Sequence, residues 1–172
     1  MQKLWCLSLK DFRTLSTQNK WDETVPDNIA IISINNGKDT LLEGECHLCK
    51  GDNVLNLDFD DAEPSTFGLD DSAESHNAKC DGIEFKIEFF TDKQAVEAIK
   101  FIEKYNDKDF FIHCSAGVSR SQAFVKYIKN VYFDIDWETN PGNPCLHANG
   151  FVYQKLMHTY RCRENDFDIF YR

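Results

Sequence analysis

The sequence has no long apolar run and no excess of positive charge. None of its apolar stretches approaches the roughly 20 residues that a helix needs to span a bilayer, and residues 1–6 lack the apolar stretch of a secretory signal. The formal net charge is −10, from 29 acidic and 19 basic residues. Such a surface repels nucleic-acid backbones and anionic membranes. We therefore expect a cytoplasmic protein whose partners include neither nucleic acid nor a membrane.

Internal repeats and paired metal-ligand motifs are also missing from the sequence. The cysteines number seven, and an odd count leaves one thiol unpaired and favours a reducing compartment. Cys46 and Cys49 form a single Cys-x-x-Cys pair, to which His76 and Cys80 would have to be added to complete a zinc site. Without a second pair at metal-ligand spacing, ordinary reduced thiols are the better interpretation. We expect no metal and no cofactor.

The pattern along the chain predicts an α/β protein. A length of 172 residues, 42% of them hydrophobic, favours one domain over 1–172. Residues 4–7 and the mostly apolar run 29–34 predict strands, the second one central and covered on both faces. Thr91 and Gln94 have the spacing of a capping box before a helix through Tyr105. Strands that alternate with helices predict a mainly parallel central sheet flanked by helices.

The C-terminal third carries less information. Residues 140–144 are rich in turn formers, and a helical pattern returns from Gly150 to Tyr160. We expect this last helix to pack against the sheet. Residues 165–172 alternate acidic and aromatic side chains, which is compatible with a short strand or with a docking peptide.

One short segment places a thiol and a guanidinium at the two ends of a glycine-containing loop. The apolar run 110–112 predicts a buried strand, and a helix-compatible segment follows from Arg120 to about Tyr132. Between the two lies His-Cys-Ser-Ala-Gly-Val-Ser-Arg-Ser, residues 113–121. Backbone N–H groups of such a loop and the dipole of the following helix concentrate positive charge. The segment therefore predicts an anion site.

Cys114 and Arg120 suit an anion site that binds phosphate. Positive surroundings lower the pKa of a cysteine thiol and keep it as a nucleophilic thiolate. A guanidinium holds two phosphoryl oxygens with its planar fork, which the point charge of a lysine does not do. We therefore predict that Cys114 attacks phosphorus while Arg120 and the loop bind the phosphate. The loop residues are Ser115, Ala116, Gly117, Val118 and Ser119.

This segment resembles the signature of the cysteine-dependent protein tyrosine phosphatases, and residues 116–121 are closest to the dual-specificity branch. The resemblance implies a fold of that type, in which the loop joins a central strand to a helix N-terminus. It also implies that Ser121 assists departure of the Cys114 thiolate, although a serine there also suits a helix cap. It implies further that His113 bonds the loop backbone and helps to lower the pKa of Cys114 rather than transferring protons. The loop carries no lysine. A phosphoprotein or small phosphoester is therefore favoured over a polyphosphorylated inositol lipid.

The resemblance further implies a carboxylic acid that protonates the leaving oxygen and then activates water. Residues 54–57 predict a strand that runs into an acidic loop ending at Pro64. Relatives often show an aromatic residue, an acidic residue and then the catalytic aspartate, an order that Phe59, Asp60 and Asp61 follow. Asp61 is the first choice for the general acid, and Asp60 is the alternative.

The interval between Asp61 and Cys114 is longer than that family usually has. The surplus falls in residues 63–82, a polar, acidic stretch that we interpret as a surface loop insertion, either a lid over the site or decoration. Asp70 and Asp71 within it are a distant alternative for the acid.

Together these residues predict a phosphomonoester hydrolase that acts on protein phosphotyrosine, phosphoserine or phosphothreonine through a phosphocysteine intermediate. Two other classes stay open. A pseudophosphatase would bind phosphoproteins without turnover, and a rhodanese-like sulfurtransferase also carries a cysteine in a short loop at a strand end. The sequence does not decide the substrate or the oligomeric state.

Overall fold

The computed structural model describes residues 1–37, 47–140 and 147–170, with side chains to residue 163. Along the chain, the described elements are β1 (Gln2–Ser8), α1 (Leu9–Asn19), β2 (Ile29–Asn35), β3 (Val54–Asp58), a 3₁₀ turn (Pro64–Phe67), β4 (Ser75–Cys80), β5 (Ile83–Glu88), α2 (Asp92–Lys104), β6 (Asp109–Cys114), α3 (Arg120–Val131), β7 (Trp137–Thr139) and α4 (Gly150–Phe170).

The main sheet has five strands in the order β3-β2-β6-β1-β7. Every pair of neighbours in it is parallel. The prediction of an α/β fold with a mainly parallel central sheet is therefore confirmed. Strand β6 lies in the middle with β2 beside it, as expected, and its C-terminal end delivers Cys114 to the edge where the neighbouring strands also end.

Helices cover both faces of this sheet. Phe12 of α1 packs with Trp21 and Phe111 on one face. Apolar residues of α2, α3 and α4 pack on the other face, which forms the larger core. Because both faces are covered, all seven residues of β2 are buried, and a continuous apolar run is what such a strand requires.

The predicted helix before β6 has the predicted cap. The Thr91 hydroxyl accepts a hydrogen bond from the Gln94 backbone N–H, and the Gln94 side chain accepts one from the Thr91 backbone N–H. The stripe of Ala95, Ala98 and Ile102 is buried in the larger core. The capping box thus fixes where α2 begins.

The structure departs from the sequence-based expectation in four segments. Helix α1 and strand β7 were not predicted. The segment 63–82 is not one irregular loop, because it contains the 3₁₀ turn and β4, which pairs antiparallel with β5. Helix α4 continues to Phe170, so a strand in the tail is wrong for the residues up to that point. The sequence did carry a signal for this hairpin, because residues 83–88 alternate apolar and charged side chains and follow Asp81-Gly82, a favoured two-residue hairpin turn in which both residues have positive φ.

Two features of the sequence analysis lie outside the described residues: most of the turn-rich stretch 140–144, and Cys46. In the described ranges no helix is long and apolar enough to cross a membrane.

We expect Thr91→Ala to lower the free energy of unfolding by about 1 kcal/mol, because it removes the N-cap acceptor of α2. Urea denaturation measures the change. Thr14→Ala is the matched control, since Thr14 is exposed on α1 and its hydroxyl only donates to the Lys10 carbonyl one turn back; it should cost nothing, because alanine is the better helix former. Equal losses for the two variants would contradict the assignment.

Candidate active site

The structure has the strand, loop and helix that the motif predicts. Strand β6 ends at Cys114 and α3 begins at Arg120, and these two side chains are only 2% and 4% exposed. We call the connection the 114–120 loop. Ala116 and Val118 lie exposed on its outer surface. The nucleophile candidate and the guanidinium therefore lie beneath a loop whose crest faces solvent.

Gly117 allows the 114–120 loop to rest directly on the end of β1. Its φ is +72°, and a Cβ on this residue would come within 2.6 Å of the Leu7 carbonyl carbon and of the Ser8 nitrogen. Leu9 N–H donates to the Ser115 carbonyl at 3.2 Å beside it. Any side chain at Gly117 would thus meet both a strained φ and a backbone clash.

The Cys114 sulfur is surrounded by hydrogen-bonding groups. The Gly117 N–H donates to it at 3.3 Å, and the Ser121 hydroxyl lies 3.2 Å away. Ser121 is fully buried and faces the sulfur rather than capping α3. These contacts suit a thiolate, whose charge is stabilised by donors aimed at it.

A second thiol, Cys6 on β1, lies beneath the same groups. Its single S–H proton is shared between the Ser121 hydroxyl oxygen at 3.0 Å and the Gly117 carbonyl oxygen at 3.3 Å. Sequence reasoning placed Cys6 within the predicted strand 4–7 and gave it no role. No local signal could have found it, because the contact joins residues more than a hundred positions apart.

Arg120 is held by uncharged oxygens. Its Nη1 donates to the Asn35 carbonyl at 3.1 Å and to the Phe59 carbonyl at 2.6 Å, and its Nη2 donates to Ser115 Oγ at 3.1 Å. Its buried Nε makes no hydrogen bond with a described residue, and no carboxylate in the described residues pairs with it within 4.0 Å. The guanidinium thus carries a positive charge that no carboxylate of the described residues neutralises, and one N–H group that no described residue uses.

Asp61 reaches the 114–120 loop. Its Oδ1 accepts from Ser119 Oγ at 2.7 Å and from Asn149 Nδ2 at 2.8 Å. This explains why Ser119, at the N-cap of α3, makes no side-chain capping bond. Asp61 is exposed and lies at the rim of the 114–120 loop.

Asn149 is a site residue that sequence reasoning missed. It is buried, its side-chain oxygen accepts from Val152 N–H at the start of α4, and its own N–H donates to the Ser119 carbonyl. An Asn directly before the helical pattern that begins at Gly150 was the available signal, since Asn is a favoured N-cap. Asn149 links α4 to both the loop and Asp61.

Asp60, the alternative for the general acid, accepts hydrogen bonds from two backbone N–H groups outside the 114–120 loop. Its Oδ1 accepts from Gly37 N–H at 3.3 Å and its Oδ2 from Glu88 N–H at 2.8 Å. Burial raises the pKa of Asp60, and these two backbone donors and the Arg120 charge oppose the rise. Because both oxygens are occupied, Asp60 joins the end of β5 to the segment after β2.

The distant alternatives for the acid have other partners. Asp70 accepts from the backbone and the hydroxyl of Ser72, which lower the pKa of its carboxyl. The Asp71 carbonyl accepts from Lys155 of α4. In the described residues, these bonds run to α4 and within the segment itself rather than to the 114–120 loop.

The hydrogen bond from His113 to the loop backbone that the resemblance implies is not formed among the described residues, and His113 lies behind the loop through packing alone. Its ring is 1% exposed and stacks on Phe12 with centroids 4.1 Å apart, and neither ring nitrogen bonds to a described residue. Burial, followed by the nearby charges of His47, Arg13 and Arg120, lowers the pKa of His113 from 6.5 to about 3. His113 is therefore a neutral ring at neutral pH.

His47 joins two neighbouring strands close to His113. Its Nδ1 lies 2.8 Å from Ser33 Oγ on β2, and its Nε2 lies 2.8 Å from Asp58 Oδ1 on β3. The same residue types form hydrolytic triads, but Ser33 is buried in a central strand, where a substrate does not reach its hydroxyl. The cluster joins the C-terminal halves of β2 and β3. The backbone carbonyls of Asn35 and Phe59, at and just after the ends of these strands, accept hydrogen bonds from Arg120.

The described cysteines do not form a metal site. In the ranges that the structure covers, no group of three His, Cys, Asp or Glu residues is placed to hold a metal ion, so Cys49, His76 and Cys80 do not come together as a zinc site. Cys46 lies outside those ranges. The described cysteines are all free thiols.

Comparisons with known proteins supply no family. No protein-family model matches the sequence, and no curated protein matches it. The chemistry of the site therefore has to follow from the geometry given above.

The buried His113 ring predicts a dependence of stability on pH. Its pKa of about 3 in the folded state lies below the usual 6.5, so the unfolded chain takes up the proton first as pH falls, and stability is lost from about pH 6.5 towards pH 3. Between pH 7 and pH 5, His113→Leu should lose about 2 kcal/mol less than wild type in urea denaturation.

Phe12→Leu is the control for this measurement. It removes part of the same ring packing without removing a titrating group, so it should lower stability at every pH and leave the difference between pH 7 and pH 5 as in wild type. If His113→Leu keeps the wild-type slope, the neutral buried ring is refuted.

Proposed function

We propose that the protein is a cysteine-dependent phosphomonoester hydrolase of the tyrosine or dual-specificity type. The observation that carries the proposal is the pairing of two groups across one short loop. At one end the Cys114 sulfur receives the Gly117 N–H and lies beside the Ser121 hydroxyl. At the other end Arg120 offers a buried positive charge without a carboxylate partner in the described residues.

In the first step Cys114 attacks phosphorus in line with the leaving oxygen. The S–P bond forms, the P–O bond breaks, and Arg120 with the loop N–H groups stabilises the charge on the equatorial oxygens. Asp61 protonates the leaving oxygen. Its hydrogen bonds to Ser119 and Asn149 support this role, because they fix the carboxyl at the rim of the same loop.

In the second step water hydrolyses the phosphocysteine. Asp61, now a carboxylate, takes a proton from the water as its oxygen attacks phosphorus, and the S–P electron pair returns to Cys114. Ser121 donates a hydrogen bond to the departing thiolate. Each step thus uses a group that lies at the 114–120 loop.

The substrate that the site supports is a phosphoprotein or a small phosphoester. None of the residues 114–119 is a lysine, and the chain has a net charge of −10, which opposes a polyphosphorylated headgroup. Val118 is 49% exposed at the crest of the loop and offers an apolar contact beside the phosphate. These features favour a singly phosphorylated side chain over an inositol lipid.

The nucleophile is tested with p-nitrophenyl phosphate. We expect wild type to release phosphate and Cys114→Ser to be inactive while folded, because a serine hydroxyl is not ionised at neutral pH. Ser119→Ala, which removes a bond to Asp61 but not the nucleophile, should keep measurable turnover. A folded but inert wild type that still binds phosphopeptides would point to a pseudophosphatase, and thiocyanate formation from thiosulfate and cyanide would point to a sulfurtransferase.

The general acid is tested with a pair of matched variants. Asp61→Asn keeps the size and the acceptor for Ser119 but loses the proton, so kcat should fall by about 10²–10⁴-fold. The loss should be greater for phenyl phosphate than for p-nitrophenyl phosphate, whose leaving group needs less protonation. Asp60→Asn should lower stability and change kcat by less than about tenfold. A reversed ranking would transfer the acid role to Asp60.

A further inference from the structure

Cys6 places a second thiol under the Ser121 hydroxyl. It lies on β1, which pairs in parallel with β6, and it is 4% exposed. Its Sγ is 3.0 Å from Ser121 Oγ and 3.3 Å from the Gly117 carbonyl oxygen. Ser121 Oγ is therefore in contact with two sulfurs, because Cys114 Sγ lies 3.2 Å away.

The direction of these bonds determines where the Ser121 proton lies. A serine hydroxyl has one proton to donate and two lone pairs that accept. The single Cys6 S–H proton lies between two acceptors, the Ser121 oxygen at 3.0 Å and the Gly117 carbonyl at 3.3 Å. In the shorter of these bonds it goes to Ser121, and the hydroxyl proton is then left for the other sulfur neighbour, Cys114. The Cys6 thiol thus orients the Ser121 hydroxyl as a donor to the nucleophile.

We propose that Cys6 is a positioning residue of the phosphatase reaction and acts through Ser121. The inference rests on the function proposed above. In the second step the O–P bond forms from water, Asp61 takes the water proton, the S–P bond breaks, and its electron pair stays on Cys114. The Ser121 hydroxyl, already aimed by Cys6, stabilises that thiolate without giving up its proton. Preorganised donors of this kind avoid reorganisation in the transition state.

Another role for a buried cysteine is that of a small apolar side chain. Cys6 belongs to the larger core, so this reading predicts that any side chain of similar size will serve. The positioning role predicts instead that only a hydrogen-bond donor will serve. The two readings therefore differ in the ranking of serine and alanine at this position.

The test compares Cys6→Ala with Cys6→Ser in burst and steady-state kinetics with p-nitrophenyl phosphate. Cys6→Ala should lower kcat by about three- to tenfold, the loss expected for one hydrogen bond. It should change kcat/KM less than twofold and produce a burst of p-nitrophenol, because only the second step is slowed. Cys6→Ser should restore kcat to within twofold of wild type.

Controls separate positioning from packing. Cys49→Ala removes another fully buried thiol, which contacts Ser16 on the opposite face, and kcat should be unchanged. Thermal denaturation checks folding of each variant. If Cys6→Ala does not fold, Cys6→Val supplies an apolar side chain of greater volume. Equal impairment of the serine and apolar variants would overturn the inference.

A double-mutant cycle shows whether Cys6 acts through Ser121. Ser121→Ala should lower kcat by itself, and adding Cys6→Ala to it should cause no further loss. Independent, multiplying losses would overturn the inference while leaving the phosphatase function intact. A folded wild type that releases no phosphate would instead overturn the proposed function, and it would be seen before any Cys6 variant is examined.

Discussion

The Arg120 guanidinium is the interaction on which the rest of the site depends. A buried charge is costly unless polar groups surround it, and here the groups are backbone carbonyls at the ends of β2 and β3 together with one loop hydroxyl. Such oxygens solvate the guanidinium without neutralising it. Because two of these oxygens come from the end of β2 and from the residue after β3, both strands must end at the same edge of the sheet as the loop that follows β6. The position of the guanidinium therefore depends on both the sheet order and the loop.

The adjacent residues Asp60 and Asp61 bind different parts of the structure. Asp60 accepts from two backbone N–H groups and holds β5 against the segment after β2. Asp61 accepts from Ser119 and Asn149 at the loop. The two side chains have different partners, which leaves one carboxyl as a structural anchor and the other at the rim of the loop.

The sulfur atoms of Cys114 and Cys6 contact the same two residues. Cys114 contacts Gly117 and Ser121, and Cys6 contacts the same two residues from below. Gly117 makes this possible because it lets the loop lie against the end of β1. The neutral ring of His113 fills the space on the other side of the strand. The nucleophile candidate is thus enclosed by short contacts from β1, the loop and α3.

Local patterns in the sequence determined the strands β2 and β6, the capping box of α2, the start of α3 and the residues of the 114–120 loop, because each depends on neighbours within a few positions. The choice of Asp61 over Asp60 as general acid came from the resemblance and stays a prediction, and the contact of Asp61 with Ser119 was not visible in the sequence. Only the tertiary structure decided the link through Asn149 and the place of Cys6 beneath Ser121. Those contacts join residues far apart in the chain, and Cys6 meets Ser121 only because the sheet order places β1 beside β6.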